Sequence, residues 1–368
     1  MVRLRYALLA ALGSGCGTPA TERPVAPPPP PTNAEPPTSA DDTDAAATGF
    51  LKGQLHLHSS ASGDSETPAT EVAAWYAAHG YDFIVFTDHN RLTELPAAEG
   101  LLTLPGVELT QNLPTCTPAP EADMQCLLHI NALVVDPARA DAAGSVAQPT
   151  SDDRVARYEH AMAVSEAMGG VAQLNHPNFH YAANAAQLTT LAKRGLLLFE
   201  LSNEAWDSNN EGDATHPSTE RMWDEALTAG AHLYATATDD AHHYDDAKSV
   251  AARGEPVFVG DKGFVMVRAD KDAASIRDAL RRGDFYASTG VLLDDVVFRD
   301  GVLEVRVAEA TAGDVEIAFI SDGGKVIRSV TGRSARWDTR GTTATYVRAD
   351  VVSTTGARAW TQPVFLGH

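Results

Sequence analysis

Residues 53–60 read GQLHLHSS, and the alternation inside that stretch decides how the rest of the chain is read. In a strand, residues i and i+2 face the same way, so His56 and His58 project together while Leu55 and Leu57 face the other side. Two neutral imidazoles on one face suit a metal ion. Taken alone, the pair equally suits a strand end where carboxylates or water satisfy both rings. The remainder of the sequence has to choose.

Outward from this stretch, apolar runs alternate with segments of helical period. The strand-like runs are GQLHLH, FIVFT, TLPGVEL, LLHINALVV, GVAQLNH, LLLFELSN and HLYATATD. Between several of them, ATEVAAWYAAHG, DDRVARYEHAMAVSEAMGG and STERMWDEALTAG carry helical spacing and close on glycine. Such alternation predicts an α/β domain with a parallel sheet, open or closed into a barrel, over residues 49–290. Seven strands fall one short of the usual eight-stranded barrel. After residue 290 the texture changes to short alternating runs, VLEVRVAEA, DVEIAFIS and TATYVRADVVS, with a DGGK turn signal. A small all-β module is expected over 291–368, with packing or partner contact as its role. There is no internal repeat.

The chain opens MVRLRYALLAALGSGC, with Arg3 and Arg5, a short apolar run and small residues ending at Cys16. This is the pattern of an export signal over 1–16, too short to span a membrane. It resembles a bacterial lipoprotein signal, with Gly13 where a Leu is usual, so a lipid anchor at Cys16 is the expected route to a membrane. Residues 17–48 are rich in Pro, Ala, Thr and acid and read as an extended tether. The expected location is the bacterial cell envelope. Cys116 and Cys126 lie in one polar insertion, QNLPTCTPAPEADMQC, and in an oxidising compartment they suit a disulfide. Two unrelated thiols, or Cys126 as a buried strand residue, are the alternatives.

Composition narrows the function classes. In 368 residues there are 28 basic and 49 acidic side chains, a formal charge of -21, and 44% hydrophobic residues. Such a surface repels a phosphate backbone, which argues against extended nucleic-acid binding. Bound divalent cations can still make one cleft of an acidic protein locally positive.

In α/β barrels functional residues gather at the carboxyl ends of strands. Those ends carry His56 and His58, His89 in TDHN, Glu108 in GVE, His129 in LHIN, His176 in LNHPN, and Asp240 and His242 in TDDAHHY. Six of the 13 histidines therefore converge with two carboxylates, and metal sites are the common reason for such clusters.

With these motifs the chain resembles the PHP superfamily, named for polymerase and histidinol phosphatase, over residues 53 to about 245. The resemblance implies a distorted seven-stranded (β/α)7 barrel around three divalent metal ions. It assigns His56, His58, Glu108 and Asp240 to one ion. Glu108, His129 and His176 go to a second, and Asp64, His89 and His242 to a third. Asp64, in SASGDS, stands where relatives often carry His. In DDAHH, Asp239 and His243 compete for the last two places, and the D-x-H spacing favours Asp240 with His242. Mixed imidazole and carboxylate ligands suit Zn, Mn or Fe. The implied reaction is attack on the phosphorus of a small phosphorylated substrate by a metal-bridged hydroxide. No nucleophile elbow or P-loop is present, consistent with a reaction that needs no side-chain nucleophile.

Further candidates surround that set. Asp88 is placed to orient an imidazole, Arg91 to hold a phosphate through its planar fork, and His243 to donate a proton to the leaving group. Surface solvation for Arg91 and a structural role for His243 are the competing readings. His79 reads as a helix C-terminal residue, and His180 and Trp206 as pocket-lining or packing residues. Phosphodiester, ester or amide hydrolysis on the same centre is the alternative activity, and an inactive envelope binding protein is the alternative from another class.

Overall fold

A computed structural model describes residues 49–147 and 151–367. The export signal with Cys16 and the tether of 17–48 lie outside the described residues. The chain lays down β1 (Phe50–Gln54), α1 (Ala69–Ala78), β2 (Phe83–Phe86), β3 (Leu102–Leu113) and β4 (Cys126–Leu133). It continues with α2 (Arg154–Ala167), β5 (Val171–Leu174), α3 (Ala185–Lys193), β6 (Leu198–Asn203), α4 (Thr219–Thr228) and β7 (Tyr234–Thr238). These seven strands neighbour one another in chain order. The ring closes at the far end of β1, where Leu57 bridges Ala241 in parallel and His58 N donates to Ala241 O at 2.9 Å. The result is a distorted α/β barrel of seven strands.

The predicted all-parallel sheet needs one correction. β1–β2, β2–β3, β5–β6 and β6–β7 are parallel, whereas β3–β4 and β4–β5 are antiparallel. The cause is local: β3 and β4 are joined by a loop with no crossover helix, and without a crossover two strands can only pair antiparallel. β4 therefore enters the ring reversed. His129 comes from the middle of that strand, opposite Thr110 of β3, and the carboxyl-end rule does not apply to it.

Capping residues start the helices where the sequence places them. Asp153 accepts from Ala156 N at α2, Asn184 and Gln187 form a capping box at α3, and Ser218 accepts from Arg221 N at α4. The helices cover the outer wall with Tyr158, Leu188, Leu191, Met222 and Trp223. The barrel interior is polar instead. Gln54, Asn131, Gln173, Glu200 and Thr236 are wholly enclosed within it, and burial of so many polar groups requires that they bond to one another.

The sheet does not stop at β7. After α5 (Ala247–Ala252) come β8 (Phe264–Arg268), which pairs antiparallel with β1, then α6 (Ala273–Arg282) and β9 (Phe285–Ser288). The later strands are β10 (Leu293–Arg299), β11 (Val302–Val307), β12 (Val315–Ser321), β13 (Lys325–Thr331), β14 (Ser334–Asp338), β15 (Tyr346–Ser353) and β16 (Arg358–Thr361). β16 pairs with β9 and leads through β15 and β12 to β13, while β10, β11 and β14 form a separate antiparallel sheet. Their own core includes Val305, Ile317, Phe319, Val347 and Val351. Arg348 of β15 is wholly buried and bonds Asp224 of α4 at 2.8 and 2.9 Å and Glu220 at 2.8 Å. That ion cluster fixes the C-terminal strands to the barrel's outer helix. Among the described residues, no helix is long and apolar enough to cross a membrane.

Candidate metal centre

β1 ends at Gln54, and the next residues continue as an extended segment held by β2 and by the turn after β7. Leu57 N donates to Thr87 Oγ1 at 3.0 Å, and Asp240 N to His56 O at 3.0 Å. This carries His56 and His58 past the ladder while keeping the alternation that puts both rings inside. Their Nε2 atoms lie 3.2 Å apart, and each is 3.2 Å from Asp240 Oδ1 and 3.6 Å from a Glu108 carboxylate oxygen. Glu108 also faces His129 Nδ1 at 3.0 Å, His176 Nε2 at 3.6 Å and His89 Nδ1 at 2.7 Å. One buried carboxylate thus stands among five imidazoles.

Three overlapping groups of donors result. In each of His56–His58–Glu108, Glu108–His129–His176 and His58–Asp64–His89–His242, one donor atom per residue lies within 4.8 Å of the others. Glu108 belongs to the first two groups and His58 to the first and third. His58 is therefore an addition to the third group as read from the sequence. Two of the residues sit where the backbone turns left-handed: φ is 26° at His176 and 50° at Asp240. Such conformations are costly for residues other than glycine and cluster at functional sites.

The far side of most rings is tied down. His56 Nδ1 lies 2.6 Å from Glu200 Oε1, His58 Nδ1 2.9 Å from Ser62 Oγ, and His242 Nδ1 2.9 Å from the Asp240 carbonyl. His129 Nε2 lies 2.9 Å from Asn112 Oδ1. Glu200 Oε1, the Asp240 carbonyl and Asn112 Oδ1 can only accept, so His56, His242 and His129 donate the tied proton outward, which turns the other nitrogen's lone pair toward the centre, as metal-bound histidine requires. Asn175 Nδ2 donates to Glu108 Oε1 at 2.9 Å and sets the angle of that carboxylate.

The charges fit cations. Burial alone would raise the pKa of Glu108, but His89, His129 and His56 hold it well below the usual carboxylate range. Burial would likewise raise Asp240, and His56, His58 and His242 hold it well below. Burial would lower His56, yet Asp240, Glu200 and Glu108 lift it well above its usual value. Carboxylates here thus stay ionised and draw positive charge onto His56, His89, His176 and His242, while burial holds His58 and His129 below their usual value; divalent ions would supply such charge in place of protons. Glu108 Oε2 and His129 Nδ1 are buried without a hydrogen bond of acceptable geometry. Orphaned lone pairs in a buried cluster of this donor type are what metal coordination satisfies. The clusters are consistent with several metal sites.

Eight of the nine residues read from the sequence as ligands fall in these donor groups, and the ninth, Asp240, lies outside them with Oδ1 3.2 Å from His56 and His58 Nε2. The three accessory residues are placed differently. Asp88 touches no imidazole: it accepts from Ser59 N at 2.7 Å, Ser59 Oγ at 2.8 Å and Thr93 Oγ1, so it pins the segment after β1 to the one after β2. The reason is that His89 already finds Thr110, Asp64 and Glu108. Arg91 is exposed and donates to Ala61 O at 3.1 Å, bracing the loop that carries Asp64. His243 accepts from Phe258 N at 3.1 Å and lies outside the donor groups. Asp239 turns away too, receiving Gln54, Tyr76 and the amides of Asp261, Lys262 and Gly263. His180 accepts from Gln125 N at 3.0 Å on the loop joining β3 and β4.

Glu200 was missed. It is wholly buried, and besides His56 it takes His176 N at 2.7 Å, Asn203 Nδ2 at 2.9 Å and Thr238 Oγ1 at 2.8 Å. The signal was present in LLLFELSN, where one carboxylate interrupts an apolar strand. A lone acid at such a position needs buried partners.

No protein-family model matches the chain, and no curated protein does. Among solved structures it is similar to a two-domain protein of Bacteroides vulgatus, described as containing a predicted PHP-like metal-dependent phosphoesterase. The identity is 16%, with 88% of this chain and 95% of that chain covered and a TM-score of 0.47. A candidate metal-dependent phosphoesterase of Bifidobacterium adolescentis shares 13% identity over 52% of this chain and 88% of its own, with a TM-score of 0.34. At these levels of likeness the centre is read from its own residues.

Proposed function

We propose that the protein is an exported metal-dependent phosphoesterase that hydrolyses a small phosphorylated substrate at a centre of three divalent ions. The observation that carries this is Glu108, a buried carboxylate among five imidazoles whose Oε2, 2.7 Å from His89 Nδ1, makes no hydrogen bond of acceptable geometry. His56, His58, Glu108 and Asp240 would hold one ion, Glu108, His129 and His176 a second, and Asp64, His89 and His242 a third. Bound ions of this kind make water acidic enough to ionise near neutral pH and polarise phosphoryl oxygens.

The chain's own residues set the direction of approach. The side chains of His56, His58 and Glu108 are at most 1% exposed, whereas His242 is 15%, His89 25% and Asp64 42% exposed. A phosphoryl group therefore reaches the centre from the Asp64 side. Glu200, Asn112 and Ser62 hold the rings so that little reorganises when substrate arrives. Export is supported by the Cys116–Cys126 disulfide, with Cα atoms 6.0 Å apart, since such bonds persist in oxidising compartments.

The test is metal content per chain on protein purified without chelator, paired with phosphate release from a panel of phosphomonoesters. Close to three equivalents, with turnover lost in His56→Ala, is the expected result. One equivalent or less that added Mn or Zn does not restore, with no hydrolysis, would overturn it. Cleavage of phosphodiesters alone would replace monoester with diester hydrolysis.

A further inference from the structure

One sizeable cavity among the described residues is not lined by the metal ligands. It is a cleft of about 710 Å³ between the β6–α4 loop and the turn from β15 to β16, with Asp261 and Lys262 at one side. That volume is in the range of pockets for one small molecule. It adjoins the centre through the backbone that carries the centre's supports. Ser202 and Glu204 of the lining flank Asn203, whose Nδ2 lies 3.2 Å from Asp240 Oδ2. Asp261 and Lys262 donate their amides to Asp239, next to Asp240 in the chain.

Trp206 joins cleft and centre. Its side chain lines the cleft and is 65% exposed, the most exposed large hydrophobic among the described residues. Its ring lies 6.2 Å from that of Phe258, which lies 5.3 Å from that of His242. Indole and imidazole are thus separated by one ring, on the more open side of the centre. Leaving a Trp face in water forgoes its burial, and an exposed apolar face at a site mouth marks a binding surface.

The lining's charges say what kind of group fits. Phosphate does not: Glu204, Glu211, Glu220 and Asp261 outnumber Lys262 and Arg358. Most are already engaged, Glu220 with Arg358 at 2.7 Å, Asp261 with Lys52 at 2.7 Å and Glu204 with Ser202 Oγ at 2.5 Å. Among the described residues the side chains of Glu211 and Lys262 have no partner, and their charges are opposite in sign. Thr289, Thr355 and Asn209 add hydroxyl and amide groups. The complement is an uncharged, hydroxyl-rich ring with one apolar face to lie on an indole.

We propose that the cleft beside Trp206 binds the sugar ring of a sugar phosphate whose phosphoryl group reaches the metal centre. This deepens the phosphoesterase reading and rests on it. The sugar's C–H face lies on Trp206, its hydroxyls exchange hydrogen bonds with Glu211, Lys262 and the Thr hydroxyls, and the acidic lining keeps the phosphate out of the cleft.

The experiment uses the full metal-loaded chain and two independent readouts. Kinetics compare pentose and hexose monophosphates with p-nitrophenyl phosphate and with nucleoside monophosphates. Binding of unphosphorylated methyl glycosides is followed by saturation-transfer NMR, which needs no turnover. The expected results are methyl glycoside binding that Trp206→Ala abolishes, and a KM for sugar phosphates raised about tenfold in Trp206→Ala, as loss of one stacking surface predicts, with kcat changed far less. Glu211→Gln should raise the same KM by a smaller factor. If p-nitrophenyl phosphate and sugar phosphates are cleaved alike and Trp206→Ala alters neither KM nor binding, the sugar site is overturned while the hydrolase stands. A Trp206-dependent KM for nucleotides alone overturns it in the same way. Methyl glycosides that bind through Trp206 in a protein releasing no phosphate would overturn the phosphoesterase and leave the sugar site standing.

Discussion

Glu200 Oε1 and His56 Nδ1 lie 2.6 Å apart, and neither side chain is exposed. The carboxylate accepts the ring proton and thereby aims His56 Nε2 at Asp240 and Glu108. In Glu200→Gln the shape is kept while the charge is lost. Metal affinity should fall about 10- to 100-fold, the usual cost of losing such a partner. Competition with a chromogenic chelator measures it, and an unchanged affinity would show that Glu200 only fills space.

Gly106 precedes Glu108 by two residues in β3, and a Cβ there would lie 2.6 Å from Val85 Cγ1 and 2.9 Å from Phe86 O. Backbone oxygen cannot rotate away as a side chain can. Gly106→Ala should push β3 off β2 and cost about 1–3 kcal/mol in urea unfolding, as overpacking typically does. Because Glu108 moves with the strand, metal retention should drop in the same variant.

The disulfide closes the loop between β3 and β4, with Asn112 and His129 just beyond its two ends. Replacing both cysteines by serine frees a loop whose closure is expected to contribute about 2–4 kcal/mol. The double variant should unfold at lower denaturant. It should also lose metal from the Glu108–His129–His176 group more readily than from the other two, which metal analysis during stepwise chelation would detect.

Glu220 answers to pH. Burial would raise its pKa, but Arg348 and Arg358 hold it below the usual value. An acid depressed in the folded state stabilises it above its unfolded pKa of about 4.3, and that contribution is lost as pH falls through the lower folded value. Wild type should therefore exceed Glu220→Gln in unfolding midpoint at neutral pH, and the gap should close below about pH 4. Thermal unfolding of both proteins across pH 3–7 reads the difference, and a gap independent of pH would remove the ion cluster as its cause.

Periodicity alone located the barrel strands and the main helices, because strand and helix spacing are local properties of a chain half in contact with a core. The alternation in GQLHLHSS put His56 and His58 on one face, and the polar ends of the other runs named His89, Glu108, His129, His176, Asp240 and His242, whereas Asp64, on a loop, came only from the family resemblance. Local pattern could not reverse β4: that follows from the absence of a crossover helix, and it is why His129 serves from mid-strand. The D-x-H spacing favoured Asp240 over Asp239, and the left-handed turn at Asp240 aims that carboxylate at the rings while Asp239 faces the other way. Asp88, Arg91 and His243 were plausible by proximity in sequence, yet Ser59, Ala61 and Phe258 claimed them, because a polar group bonds the nearest partner in space. Glu200 went unread for the converse reason. Its partners come from the segment after β1 and from β5, β6 and β7, and only the closed ring brings them together.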